Sequence, residues 1–272
     1  MKVQNRIIFG LSVPTLLLLT AVSIAGICLP GNYKETPNWK VQAQGQDVID
    51  LILIVPSLLI AVVLTKKNHR FGLPLWGGTM SYLIYTFVIY CFAVHFNLLF
   101  VPYCLILGLS FYSMVCFFHC AFGEGGIGDL AGKIPERTIG VYFILIACVF
   151  YFLWLSRILP ATFSKSIPNE IVEMGLPVNP VHALDLSVCL PGFLVAGIFL
   201  LRKNPFGRLI APVLLIFSVL MDITIAVMIV AMKMRGLTGD IVPAIFVGGL
   251  AVFSGVLLSI SFRNPGNDPP NA

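Results

Sequence analysis

The amino-acid sequence predicts an all-α integral membrane protein of eight transmembrane helices, arranged as two parallel four-helix repeats. Three observations carry that prediction. Of the 272 residues, 58% are hydrophobic and only 11% charged, with a mean hydropathy of +0.96, whereas soluble domains carry about 25% charged residues. The apolar residues fall into eight runs, each near the ~20 residues that a helix needs to cross a bilayer. One stretch also occurs twice, because DVIDLILIVPSLLIAVVLTKKNHRFG (47–72) lies on VHALDLSVCLPGFLVAGIFLLRKNPFG (181–207) at an offset of 135. Asp50 falls on Asp185, Pro56 on Pro191, Ala61 on Ala196, Lys67 on Arg202 and Phe71-Gly72 on Phe206-Gly207. A general apolar bias matches leucines; it does not match an Asp, a Pro and a terminal Phe-Gly in one register.

Taken in order, the expected spans are 7–29, 47–65, 73–96, 98–119, 138–160, 181–201, 208–232 and 241–262. The first is longer than the ~7–15 residue core of a signal peptide and lacks a small-x-small cleavage site. It also has a counterpart: both 7–29 and 138–160 follow an Arg (Arg6, Arg137) and end in Leu-Pro (Leu29-Pro30, Leu159-Pro160). It is therefore expected to be retained as a span. None of the runs alternates as barrel strands do, and lipid leaves no backbone group unpaired, so the spans are helices. VPYCLILGLSFYSMV (101–115) matches VPAIFVGGLAVFSGV (242–256) at an offset of 141, which puts an insertion between the seventh and eighth spans. Four spans per half is an even number, so both halves enter the membrane in the same sense, related by a pseudo-twofold axis along its normal. The expected organisation is a first repeat (1–120), a Gly-rich cytoplasmic linker (121–137), a second repeat (138–262) and a disordered cytoplasmic tail (263–272). With the N-terminus inside, the inner segments hold 11 of the 17 Lys and Arg. The expected location is the cell membrane, with both termini cytoplasmic.

The +5 net charge sits in short clusters between apolar runs, where it reports topology, and no nucleic-acid signal accompanies it. Ala131-Gly132-Lys133 is not a phosphate loop: Ile127 stands where the first Gly should, and Ile134 follows the Lys in place of Ser or Thr. No ATP site, cofactor or metal is expected. The seven Cys are odd in number and mostly lie inside apolar runs, which implies no disulfide framework.

The candidate site residues are polar groups at intramembrane depth. At 100° per residue, Asp50, Ile54, Ser57 and Ala61 share one face of the second span, and Asp185, Cys189, Gly192 and Ala196 the same face of the sixth. Small residues at this spacing let helices approach, so both aspartates are expected to face protein. Pro56 and Pro191 each remove a backbone donor and are expected to kink their helices, freeing the carbonyls of Ile52 and Ser187 beside a carboxylate, a cation or proton site. Capping is the other reading, with Asp47 as N-cap and Asp50 in the first turn. It suits the sixth span less well, where Asn179-Pro180 reads as cap and first residue. Asp222, deep in the seventh span, costs about 2.5–3.5 kcal/mol on insertion scales and should face the bundle, with Ser218 one turn away as its partner. His182 and His95 lie at the outer ends of their spans, near the level of Asp50 and Asp185, and could join them in an outward Asp/His cluster. Tyr82, Tyr85, Thr86 and Tyr90 form a polar-aromatic stripe on the third span, suited to a cavity lining or to interhelical hydrogen bonds.

HALDLSVCLPGFLVAGIFLLRKNPFG with the following RLIAPVLLIFSVLMDI resembles the C-terminal half of uncharacterised bacterial multi-spanning (eight-helix) membrane proteins. The resemblance covers about fifty residues and implies no activity. The expected function is a transporter- or permease-like binder of a small solute or cation at the interface of two halves, with the lipid bilayer as surroundings. The alternatives are a membrane enzyme acting on lipid through the Asp/His cluster, or a receptor-like or accessory subunit.

Overall fold

The computed structural model describes residues 2–122, 134–237 and 240–263. Most of the expected linker and all but the first residue of the expected tail lie outside the described residues. Among these, eight helices are long and apolar enough to cross a membrane, so the chain is a polytopic membrane protein. They are α1 (Lys2–Cys28), α2 (Pro37–Lys66), α3 (Gly72–Ala93), α4 (Phe100–Phe122), α5 (Glu136–Phe163), α7 (Pro180–Leu201), α8 (Pro205–Met234) and α9 (Val242–Arg263), with a short α6 (Asn169–Met174) before α7. No strand forms among the described residues.

Local chemistry starts and stops these helices. Asn179 and Asn204 cap α7 and α8, each side chain accepting the N–H two residues on, with a Pro at the first helical position. The sharp turns after α2 and α7 are built alike. Asn68 and Lys203 each adopt positive φ (53° and 55°), and three backbone bonds recur 135 residues apart. Lys67, Asn68 and His69 donate to Val63, Thr65 and Leu64; Arg202, Lys203 and Asn204 donate to Ile198, Leu200 and Phe199. The Gly closing each turn is required by close approach, since a Cβ on Gly72 would sit 2.5 Å from the Thr65 nitrogen and one on Gly207 2.8 Å from that of Leu200.

α1 packs on α2 and α4, α2 on α3, and α3 on α4; α5 packs on α7, α7 on α8, and α8 on α9. The two sets meet where α8 crosses α3 and runs beside the first half of α2. Gly78 makes that crossing close: a Cβ there would meet the Ile216 side chain at 2.5 Å and the Val213 carbonyl at 3.0 Å. Val213 is the residue 135 beyond Gly78. At one end of the bundle, called proximal because α1 begins there, Arg70 bonds the Phe262 carbonyl and Arg208 pairs with Glu136 at 2.5 Å. The opposite, distal end carries the 29–36, 94–99 and 164–179 loops.

Two expectations are corrected. The second span does not start at 47 but at Pro37, because Trp39, Ala43, Gln46 and Asp47 share one buried side of a segment that reads as polar overall. Asp47 is therefore not an N-cap, and Asp50 is not in a first turn. One position in each expected buried face also differs in the same way, while Asp50, Ile54, Ala61 and Ala196 are buried as expected. Leu58 and Phe193 are buried, whereas Ser57 is half-buried and Gly192 exposed.

Candidate functional site: two aspartates at π-helical turns

Asp50–Ile54 and Asp185–Cys189, 135 residues apart, are single π-helical turns within α2 and α7. The Val55 N–H donates to the Asp50 carbonyl and the Leu190 N–H to that of Asp185, five residues back instead of four. Pro56 and Pro191 follow directly. A Pro donates nothing to the ladder, and widening the turn just before it inserts one residue, which moves the buried face from Ser57 to Leu58 and from Gly192 to Phe193. Such turns concentrate at functional sites.

Each π turn opens on its aspartate, and each carboxyl is held by α3. Asp50, 1% exposed, accepts from Gln46 Nε2 at 2.9 Å and from the Tyr82 hydroxyl at 3.3 Å. Tyr82 in turn lies 2.5 Å from Gln46 Nε2 and 3.0 Å from the Thr224 hydroxyl of α8. Asp185, half-buried, accepts from the Tyr85 hydroxyl at 3.0 Å and from Trp154 Nε1 of α5 at 2.8 Å. Tyr82 and Tyr85, one turn apart, thus bind α3 to both aspartates, one on each side of the contact between the helix sets.

Asp222 of α8 is different. It is 8% exposed, and its Oδ2 is buried without a hydrogen-bond partner among the described residues. Ser218, one turn before it, is buried but makes no hydrogen bond to it, so the expected pairing is absent. Cys189, the last residue of the second π turn, lies within electrostatic reach of both Asp222 and Asp185.

The distal Asp/His cluster is not assembled. His182 stacks on Trp154 with ring centroids 4.4 Å apart and lies 3.6 Å from Glu170, which also pairs with Arg157 at 3.3 Å. His95 instead holds Glu35, through its backbone N–H at 2.7 Å and Nδ1 at 3.2 Å. No three His, Cys, Asp or Glu side chains among the described residues are placed to hold a metal ion.

Sequence reasoning missed the role of Asp47. It is 1% exposed and accepts from the Tyr33 hydroxyl at 2.6 Å and from Tyr90 of the α3 stripe at 3.2 Å. Burial and the adjacent Asp47 carboxyl push the Tyr33 phenol far above its usual range, so it remains the proton donor of the pair. The available signal was Gly26: α1 lacks a side chain at the point where a Cβ would lie 2.1 Å from Asp47 Oδ2. Four intramembrane carboxyls, Asp47, Asp50, Asp185 and Asp222, are therefore distributed over the helices that join the two sets. No protein-family model, curated protein or solved structure matches the chain.

Proposed function

We propose that the protein is a carrier or channel for a small cation or cationic solute, built from two parallel four-helix repeats and binding its cargo between them at Asp222. The observation that carries this reading is the unpartnered Asp222 Oδ2, buried in the central helix α8. An intramembrane charge costs about 2.5–3.5 kcal/mol on insertion scales, and the other buried aspartates offset that with protein donors. Asp222 lacks such donors, which leaves a free acceptor for a cation or proton.

The repeat arrangement is supported by the backbone that recurs 135 residues apart: both π turns, both proline positions and both tight turns. It is supported too by the crossing of α3 and α8 at Gly78 and Val213, positions that a pseudo-twofold would place on its axis. The bias of 11 Lys and Arg against 6 supports a cell-membrane orientation with the proximal end cytoplasmic. Transport then uses an existing ion gradient.

Purified protein in liposomes under an imposed potassium diffusion potential tests the reading, with an entrapped pH dye for protons and radiolabelled sodium or rubidium for metal cations. Wild-type vesicles should show flux that Asp222→Asn abolishes while remaining monodisperse in detergent. Wild-type vesicles no leakier than empty ones, or flux retained in Asp50→Asn, Asp185→Asn and Asp222→Asn alike, reject it.

A further inference from the structure

The distal end of the first four helices gathers polar side chains that the aspartate site does not use. Tyr103 of α4 is 1% exposed, and its hydroxyl is buried without a hydrogen-bond partner. It faces Tyr33, Asn32 and Asn97. Asn32 and Asn97 are themselves at least nine-tenths buried, each with an Nδ2 that finds no partner. Asn97 uses only its oxygen, which accepts the Leu99 N–H at 2.9 Å. Glu35, held to the same 94–99 loop by His95, has a side chain with no exposed surface and a second oxygen, Oε2, with nothing to accept.

Each unmet buried polar atom costs about 1–3 kcal/mol, so four in one region call for an occupant. The groups come from a loop, a second loop and α4, and a small shift that let both amides donate to the Tyr103 hydroxyl would still leave Glu35 Oε2 without a donor. Their chemistry narrows the occupant. Two amide N–H donors exclude a simple cation, and a carboxylate oxygen excludes a simple anion; a phenol serves either way. Water, at once donor and acceptor with about three bonds when buried, fits all four.

We propose that Asn32, Glu35, Asn97 and Tyr103 line a recess of ordered water through which the distal aqueous phase reaches the Asp47 carboxyl. The last link is Tyr33, which faces Tyr103 on one side and donates to Asp47 on the other. Asp47 stands one turn from Asp50, so the recess leads toward the first π turn. This holds whether or not any cargo moves past Asp222.

X-ray hydroxyl-radical footprinting of the wild-type protein in lipid nanodiscs, read by mass spectrometry, tests it, because radicals generated from bound water label the side chains beside it. Tyr33 and Tyr103, both almost inaccessible to bulk solvent, should be oxidised about tenfold faster than the equally buried Phe117 and Phe143, if water occupies the recess. Asn97→Leu, which places an apolar side chain in the recess, should slow labelling of Tyr103 several-fold. Labelling of Tyr33 and Tyr103 at the rate of Phe117 and Phe143 overturns the proposal, and does so independently of any flux measurement.

Discussion

The Tyr85 hydroxyl donates to Asp185 at 3.0 Å, so a helix of the first set satisfies the aspartate that opens the π turn of the second. Its neighbour Tyr82 serves Asp50 of its own set. Tyr85→Phe keeps the ring contact with Phe217, 5.9 Å between centroids, and removes only the hydroxyl. Interhelical hydrogen bonds in membranes average about 0.6 kcal/mol and reach about 1.7 kcal/mol. The variant should therefore lose stability within that range, measured as a small drop in Tm of the detergent-solubilised protein. Asp185 keeps its bond from Trp154, so a loss well above that range would mean that Tyr85 acts through packing instead.

A π turn is a helix with one residue too many, and that makes it removable. Deleting Ile52, 66% exposed, lets the Val55 N–H reach the Asp50 carbonyl at the ordinary α spacing, while residues before and after keep their faces. Deleting Leu59, 49% exposed in regular helix, rotates everything beyond it by about 100°. The Ile52 deletion should yield monodisperse protein on size-exclusion chromatography, and the Leu59 deletion should aggregate. If both fold or both fail, the π turn is not a separable insertion.

The eight spans were legible because hydropathy and length act over some twenty residues and survive errors at any one position. The finer geometry was legible only in part. Pro56 and Pro191 stood in register with Asp50 and Asp185, which marked the right places, but a template of 100° per residue cannot represent a π turn and so put Ser57 and Gly192 on the buried face. The first turns of α2 were missed because Lys40, Gln42, Gln44 and Gln46 read as loop, although Trp39, Ala43, Gln46 and Asp47 form a buried side of that segment. That error made Asp47 look like a cap. The pairing of Tyr82 and Tyr85 with different aspartates, and the meeting of Asn32 and Asn97 at Tyr103, depend on loop and helix placement that no local pattern encodes.

Gly26 and Gly10 lie on the same helix and should respond oppositely to Ala. At Gly26 a Cβ would come within 2.1 Å of Asp47 Oδ2 and 2.7 Å of the Tyr33 hydroxyl, and the Asp47–Tyr33 bond would have to break or shift. Overpacking of this kind costs about 1–3 kcal/mol. At Gly10 nothing lies within 4 Å, so Ala brings only its helix preference, up to about 1 kcal/mol in favour. Tm should fall by several degrees in Gly26→Ala and hold or rise in Gly10→Ala.

Asp222 and Asp185 separate the cost of a site from the cost of a scaffold. Leu has nearly the shape of Asp without its oxygens. In Asp185→Leu the half-buried donors Trp154 Nε1 and Tyr85 hydroxyl are left unpaired, at up to about 1–3 kcal/mol each, so the variant should be destabilised. In Asp222→Leu no donor is stranded, because none bonds the unmet Oδ2, and a desolvated carboxyl is exchanged for an apolar group. That variant should match or exceed wild type in Tm; under the function proposed above it should also lose flux, the trade between stability and activity expected where a binding group is kept at a cost to the fold. A large loss of stability in Asp222→Leu would instead make that carboxyl a structural anchor and remove the observation on which the proposed function rests.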